Sequence, residues 1–255
     1  MIITDTHTHL YSEAFDNDRA EIITKAMNEN VKRFFIPAID STYTQRMLDL
    51  KASYPDNVYL MMGLHPTHVN ENYLSELAHV EDMLSQHEFC AVGEIGIDLY
   101  WDKSFLKQQQ EAFRYQIQLA KNYKLPIVIH CRDAFEEIFE ILEEQKGEEL
   151  RGIFHCFTGT VNQAEKAISY NMKLGIGGVV TFKNGKIDTF LNQIDLKNIV
   201  LETDSPYLAP VPYRGKRNES SYIVDVLKKL SSLYKKETQE IASITTANSI
   251  DVFGI

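Results

Sequence analysis

Four histidines and two acids in this chain are of the right type and spacing to build a metal-dependent catalyst. His7 and His9 lie two residues apart in Asp5-Thr6-His7-Thr8-His9-Leu10, after a β-branched run, so strand periodicity turns both toward one face. Glu94 stands in Gly93-Glu94-Ile95-Gly96-Ile97-Asp98, and His130 in His130-Cys131-Arg132. His155 opens His155-Cys156-Phe157-Thr158-Gly159, and Asp204 is central to Glu202-Thr203-Asp204-Ser205-Pro206. A lone His-x-His pair is a common structural feature of strands. Six donors gathered at the ends of five apolar runs form a pattern that chance would scatter.

Imidazole and carboxylate donors without thiolate suit Zn, Mn, Fe or Co, with Mg also admissible. Six ligands exceed what one four-coordinate zinc with an open position requires. Two divalent ions bridged by Glu94 account for the set, with His7, His9 and Asp204 on one and His130 and His155 on the other. Such a pair acidifies a bound water and clamps the attacking and leaving oxygens. Asp204 is the candidate general base, and Glu94 and Asp204 are the candidate catalytic carboxylates.

These residues must be carried by a scaffold that gathers them. Candidate strands cover Ile2–Thr6, Arg33–Pro37, Val58–Gly63, Cys90–Glu94, Pro126–His130, Gly152–Cys156, Lys173–Gly177 and Asn198–Glu202, alternating with amphipathic helical stretches. Phe105, Leu106, Gln109, Ala112, Phe113, Ile117 and Ala120 follow helical spacing, and Tyr73–His87 reads as another helix. The expected fold is a single-domain α/β chain, residues 1–255, closed into a TIM (β/α)8 barrel. A doubly wound open sheet shares this periodicity. In a barrel all strand C-termini share one rim, which is where active sites are built. Residues 220–255 read as two helices, the final barrel helix and an additional C-terminal one.

Basic and aromatic residues fall in the same rim loops. They are Arg132, then Lys183 and Lys186, then Arg214, Lys216 and Arg217. Lys183, Lys186 and Lys216 taken singly read as solvated loop charge, but the group together points to an anionic substrate such as a phosphate. His65, in Gly63-Leu64-His65-Pro66, joins Arg132 and Arg214 as a candidate substrate contact. Tyr100, Trp101, Tyr207 and Tyr213 stand where aromatics either stack on bases or pack against the barrel. Cys131 and Cys156 each follow a ligand histidine, so alternation sends them to the opposite face as apolar fillers. His79 and His87 read as surface histidines.

Composition bounds the function. A net charge of −10 excludes a broad basic coat for nucleic acid, though not a nuclease whose positive charge is concentrated in one pocket. No apolar run is long enough for a membrane span, and no secretory leader is legible at the N-terminus. Three cysteines without framework spacing favour a reducing compartment, so the expected location is the cytoplasm.

In these motifs, together with Gly63-Leu64-His65-Pro66 and Arg214-Gly215-Lys216-Arg217-Asn218, the chain resembles the TatD-type metal-dependent deoxyribonucleases of the amidohydrolase superfamily. The resemblance spans the chain, with seven motifs in order. It implies a TIM barrel, divalent metals on His7, His9, Glu94, His130, His155 and Asp204, and hydrolysis of DNA, typically from a 3′ end. Thr158 departs from the family's usual Ser while keeping the hydroxyl, and the family's usual Pro near Ser220 is missing. Related barrels hydrolyse other bonds with the same kit. The competing expectation is therefore another ester or amide, such as an aminoacyl-tRNA ester. A non-catalytic metal-binding protein has little use for a complete ligand set plus a base.

Overall fold

A computed structural model describes residues 2–255. Eight parallel strands are hydrogen-bonded in chain order: β1 (Ile3–Asp5), β2 (Val31–Ile36), β3 (Val58–Met62), β4 (Ala91–Asp98), β5 (Ile127–Arg132), β6 (Gly152–Phe154), β7 (Met172–Ile176) and β8 (Ile199–Leu201). The ends of this sheet meet. The Thr6 backbone N–H and hydroxyl donate to the Leu201 carbonyl at 3.0 and 2.9 Å. The Thr203 N–H and hydroxyl donate to the buried Asp5 carboxylate at 2.9 and 2.7 Å, and Thr8 bridges Ser205 in parallel. The sheet is a nearly closed barrel, and the open-sheet alternative falls away.

Helices α1 (Arg19–Asn28), α2 (Thr44–Ser53), α3 (Tyr73–Gln86), α4 (Leu106–Tyr123), α5 (Phe135–Gln145) and α6 (Val161–Ser169) follow the first six strands in turn. α4 buries Gln109, Ala112, Phe113, Gln116, Ile117 and Ala120, one face of a 3.6-residue repeat. α6 starts at a capping box between Thr160 and Gln163. The expected alternation fails once: four 3-10 turns between Gly178 and Asn198 replace an α-helix between β7 and β8. After β8 come α7 (Ile223–Tyr234), packed on the first of those turns, and α8 (Thr238–Phe253), packed on β8 and β1. Asn248 of α8 donates to the carbonyls of Leu196 and Ile199, both at 2.7 Å, so this helix is tied to the N-terminal end of β8. Ser220, where the family's Pro is missing, is buried in a 3-10 turn that leads into α7.

Inward-facing Phe35, Met61, Ala91, Val128, Ile153 and Val200 fill the barrel interior, joined by Val252 and Phe253 at the end of α8. Outward-facing Phe34, Ile36, Val92, Ile95, Ile97, Ile127 and Ile129 pack against the helices. Strand limits differ from expectation where they bear on the site. Glu94 does not close its strand, because β4 continues pairing with β5 as far as Asp98 opposite Arg132. Its register shifts between Gly93 and Ile95. Val92 and Ile95 both face outward, so strict alternation would send Glu94 outward with Val92. One extra residue at the bulge turns it inward instead. The strand resumes through Gly96 at φ +142°, where a Cβ would meet the His130 carbonyl oxygen at 2.1 Å.

Candidate metal centre

β1 ends at Asp5, and a bend at Thr6 precedes His7 and His9, which nevertheless converge as alternation predicts. His130 lies within β5, His155 directly follows β6, and Asp204, at φ 56°, follows β8. Glu94 is the hub. Its Oε2 lies 3.0 Å from His7 Nε2 and 3.8 Å from His9 Nε2. Its Oε1 lies 2.7 Å from His130 Nδ1, 3.2 Å from His65 Nε2 and 3.3 Å from His155 Nε2. Asp204 Oδ1 closes the first side, 3.4 Å from His9 Nε2 and 3.9 Å from His7 Nε2.

Three overlapping groups bring donor atoms within 4.8 Å of one another: His7–His9–Glu94, His7–His155–Asp204 and His65–Glu94–His130. His155 therefore sits between the two expected sets, its ring stacked on His7 at 3.6 Å. The residues fit a cation. Both ring nitrogens of His7 are buried and make no well-directed hydrogen bond, Nε2 facing Glu94 Oε2 at 3.0 Å and Nδ1 facing no partner. A buried imidazole nitrogen left so is costly unless it has a ligand. No thiol belongs to these groups among the described residues. Cys131 packs with the outward-facing core, and burial pushes its thiol up to about 12.

The ionisable groups record a concentration of buried charge. Burial opposes the Glu94 carboxylate, yet the surrounding histidines hold it well below the usual range. Burial also opposes a charged His155, but Glu94, Glu202 and Asp204 outweigh it and raise the ring to about 10. Burial and the neighbouring His155 lower His7. A proton on His155 thus balances carboxylates that a bound cation would otherwise balance.

Outer partners orient the rings. Tyr11 Oη is 3.0 Å from His9 Nδ1. Fully buried Glu202 brings Oε1 to 3.1 Å from His155 Nδ1, directing Nε2 at Glu94. Asp98 Oδ2 is 2.8 Å from His130 Nε2, so both nitrogens of that ring face carboxylates. His65 is set differently. Its Nδ1 accepts the Thr67 backbone N–H at 3.1 Å, which leaves the hydrogen of a neutral ring on Nε2. Burial lowers His65 to about 4, so near neutral pH it presents an N–H donor to the site rather than a lone pair.

A cavity of about 420 Å³ opens over these groups, and Trp101, Arg132, Tyr207 and His68 help to line it. Arg214 stands apart from that lining, its guanidinium 4.3 Å over the Phe182 ring. Arg217 is committed to Asp18 in a two-pronged pair at 2.9 and 2.5 Å, while Lys183, Lys186 and Lys216 are exposed. His79 is only half-buried, bonded to Thr44 of α2 at 2.8 Å, and His87 is exposed. A larger open groove of about 660 Å³ lies between α1 and α2, but its Asp16, Arg19 and Arg46 satisfy one another and it gathers no ligand set.

Sequence reasoning passed over Asp98, Glu202, Tyr11 and Asp5. Asp98 and Glu202 lie inside the motifs already singled out, and Glu202 shares its strand face with Asp204. That parity was the available signal.

Residues 4–254 match the model of the family described as TatD related DNase, and the chain belongs to this family of metal-dependent hydrolases. It is 40% identical over 255 residues to the uncharacterized metal-dependent hydrolase YabD of Bacillus subtilis (strain 168), covering 100% of both chains. It is 32% identical over 259 residues to the uncharacterized metal-dependent hydrolase YcfH of Escherichia coli (strain K12), covering 100% of this chain and 97% of that one. The crystal structure of YjjV, a TatD homologue from Escherichia coli K12, superposes with a TM-score of 0.93 at 28% identity, covering 99% and 98% of the two chains.

Proposed function

We propose that this chain is a nuclease that hydrolyses DNA phosphodiester bonds, as a 3′–5′ exodeoxyribonuclease acting on single-stranded DNA or a 3′ end. The observation that carries this reading is the division of Glu94. One carboxylate oxygen faces His7, His9 and, through them, Asp204; the other faces His130, His65 and His155. These side chains would hold two divalent ions with Glu94 between them, Zn, Mn, Mg, Fe or Co by ligand type. When bound, such ions supply Lewis acidity that acidifies water and takes up charge on a phosphate. Asp204, at the open side of the cluster, accepts the proton of the attacking water. The Nε2–H of His65, which faces Glu94 Oε1 at 3.2 Å, would be shared with a non-bridging phosphate oxygen, and Arg132 at the cavity mouth would balance the remaining charge. Arg214, outside the cavity wall, is assigned in this reading to a phosphate further along the strand. The family's description as related to DNases supports the substrate class. Three unpaired cysteines fit a reducing compartment such as the cytoplasm, and among the described residues no helix is long and apolar enough to cross a membrane.

The test is nucleotide release from a 5′-labelled oligonucleotide by the metal-loaded protein, run beside an aminoacyl ester at matched metal. Laddering from the 3′ end that stops on chelation is the expected result. Activity that survives complete metal removal, or an ester preference of several orders of magnitude, would overturn the reading.

A further inference from the structure

The rim aromatics divide into two kinds. Tyr213 is committed to packing, stacked on Tyr222 with ring centroids 3.9 Å apart and planes 7° apart. Tyr100 and Trp101 pack edge to face with each other, at 4.9 Å and 90°, without stacking on another aromatic ring among the described residues. Trp101 keeps 70% of its surface exposed at the edge of the metal-centre cavity, and Tyr100 keeps 54%. An indole left this bare beside a polar cavity buries less than a third of its surface, so folding gains little from it.

The pair is nonetheless held in place. Asp98 Oδ1 accepts the backbone N–H groups of Tyr100 and Trp101 at 3.0 and 3.1 Å, while its Oδ2 faces His130. One buried carboxylate thus fixes both a histidine of the centre and the loop that carries the aromatics. Register on the neighbouring strand sets Arg132 opposite Asp98. Its guanidinium lies 3.9 Å over the Tyr100 ring and 5.4 Å from that of Trp101. A cation for a phosphate and a flat π-surface for a base therefore stand side by side at the mouth.

We propose that Trp101, supported by Tyr100 and Arg132, is a stacking platform that holds an unpaired base beside the phosphate entering the metal centre. This rests on the nuclease reading. Stacking needs a base with a free face, which a strand end or a single strand offers and an intact duplex interior does not. The platform recognises the π-face, which all four bases share, so it selects unstacked nucleic acid without selecting sequence.

Trp101 is the single tryptophan of the chain, so its emission reports on this lip alone. Titrating the metal-loaded protein with a hydrolysis-resistant phosphorothioate single strand should quench and saturate that emission. On a cleavable single strand, Trp101→Ala should raise KM about tenfold, with the change falling on KM rather than kcat, and Trp101→Phe should recover most of the loss. DNA hydrolysis with the same KM in wild type and Trp101→Ala overturns the platform and leaves the nuclease reading standing. Absence of DNA hydrolysis by the metal-loaded wild type overturns both.

Discussion

The two ends of the barrel interior are built by the same strands and differ by two residues along each. On β5 the interior position is Val128 and the next is His130; beyond β6 the sequence passes from Ile153 to His155; beyond β8 it passes from Val200 to Glu202 and Asp204. The lower layer, closed by Phe253 stacked on Phe35 at 4.0 Å, is mainly apolar, although Arg33, two residues before Phe35, also keeps a buried nitrogen without a partner. The upper layer buries imidazoles and carboxylates, and His7 and Glu202 keep buried polar atoms without partners. Such atoms cost stability until something binds them. The lower end therefore holds the barrel together, and the upper end holds donors in readiness for a cation.

That division is easiest to break at the hub. Glu94→Gln removes the charge shared by both sides, and activity is expected to fall at least a thousandfold while circular dichroism stays native. A variant that retains a tenth of wild-type turnover would show that Glu94 is not the hub. The mirror experiment is Phe253→Ala. It should cost about 3 kcal/mol of unfolding free energy in urea, through cavity formation, while kcat below the transition stays near wild type. Equal loss of activity and stability would mean the two ends are not separable.

Smaller effects sharpen the contrast. Glu202→Gln keeps the shape beside His155 but removes the charge that orients it, so metal affinity should fall about 10- to 100-fold by competition with a chromogenic chelator. Metal loading should also release protons. His155 is raised to about 10 in the metal-free protein, so it is protonated at neutral pH and a cation must displace that proton. Affinity should accordingly rise with pH, and calorimetry in buffers of different ionisation enthalpy should count at least one proton released per chain. His130, which burial opposes but Asp98 and Glu94 hold up, adds to the proton of His155. No buffer dependence would place His155 outside the coordination.

Much of the upper end was legible because its residue types are rare at strand ends and recur strand after strand. Their convergence needed only the assumption that parallel strands share a rim. Other features were not legible. Glu94 was read as the last residue of β4, whereas it sits at a bulge inside a longer strand, and a one-residue register shift leaves no mark in composition. The stretch between β7 and β8 carries enough apolar residues for a helix, yet it folds as successive 3-10 turns on which α7 packs. Asp98 and Glu202 looked like ordinary acids because burial, which makes them orienting groups, is a property of neighbours far along the chain.

The sequence by itself determined the family, the eight-strand repeat and which imidazoles and carboxylates fall at the strand ends of one rim. Each of these follows from residue type and local period. Tertiary structure alone decided that His155 lies between both sets of donors, that His65 presents a hydrogen rather than a lone pair, and that Arg214 stands outside the cavity. It also decided that Trp101 is left bare at the mouth while Tyr213 is packed away. Those outcomes depend on distances of a few ångströms between residues tens to hundreds of positions apart, and no local pattern encodes such distances.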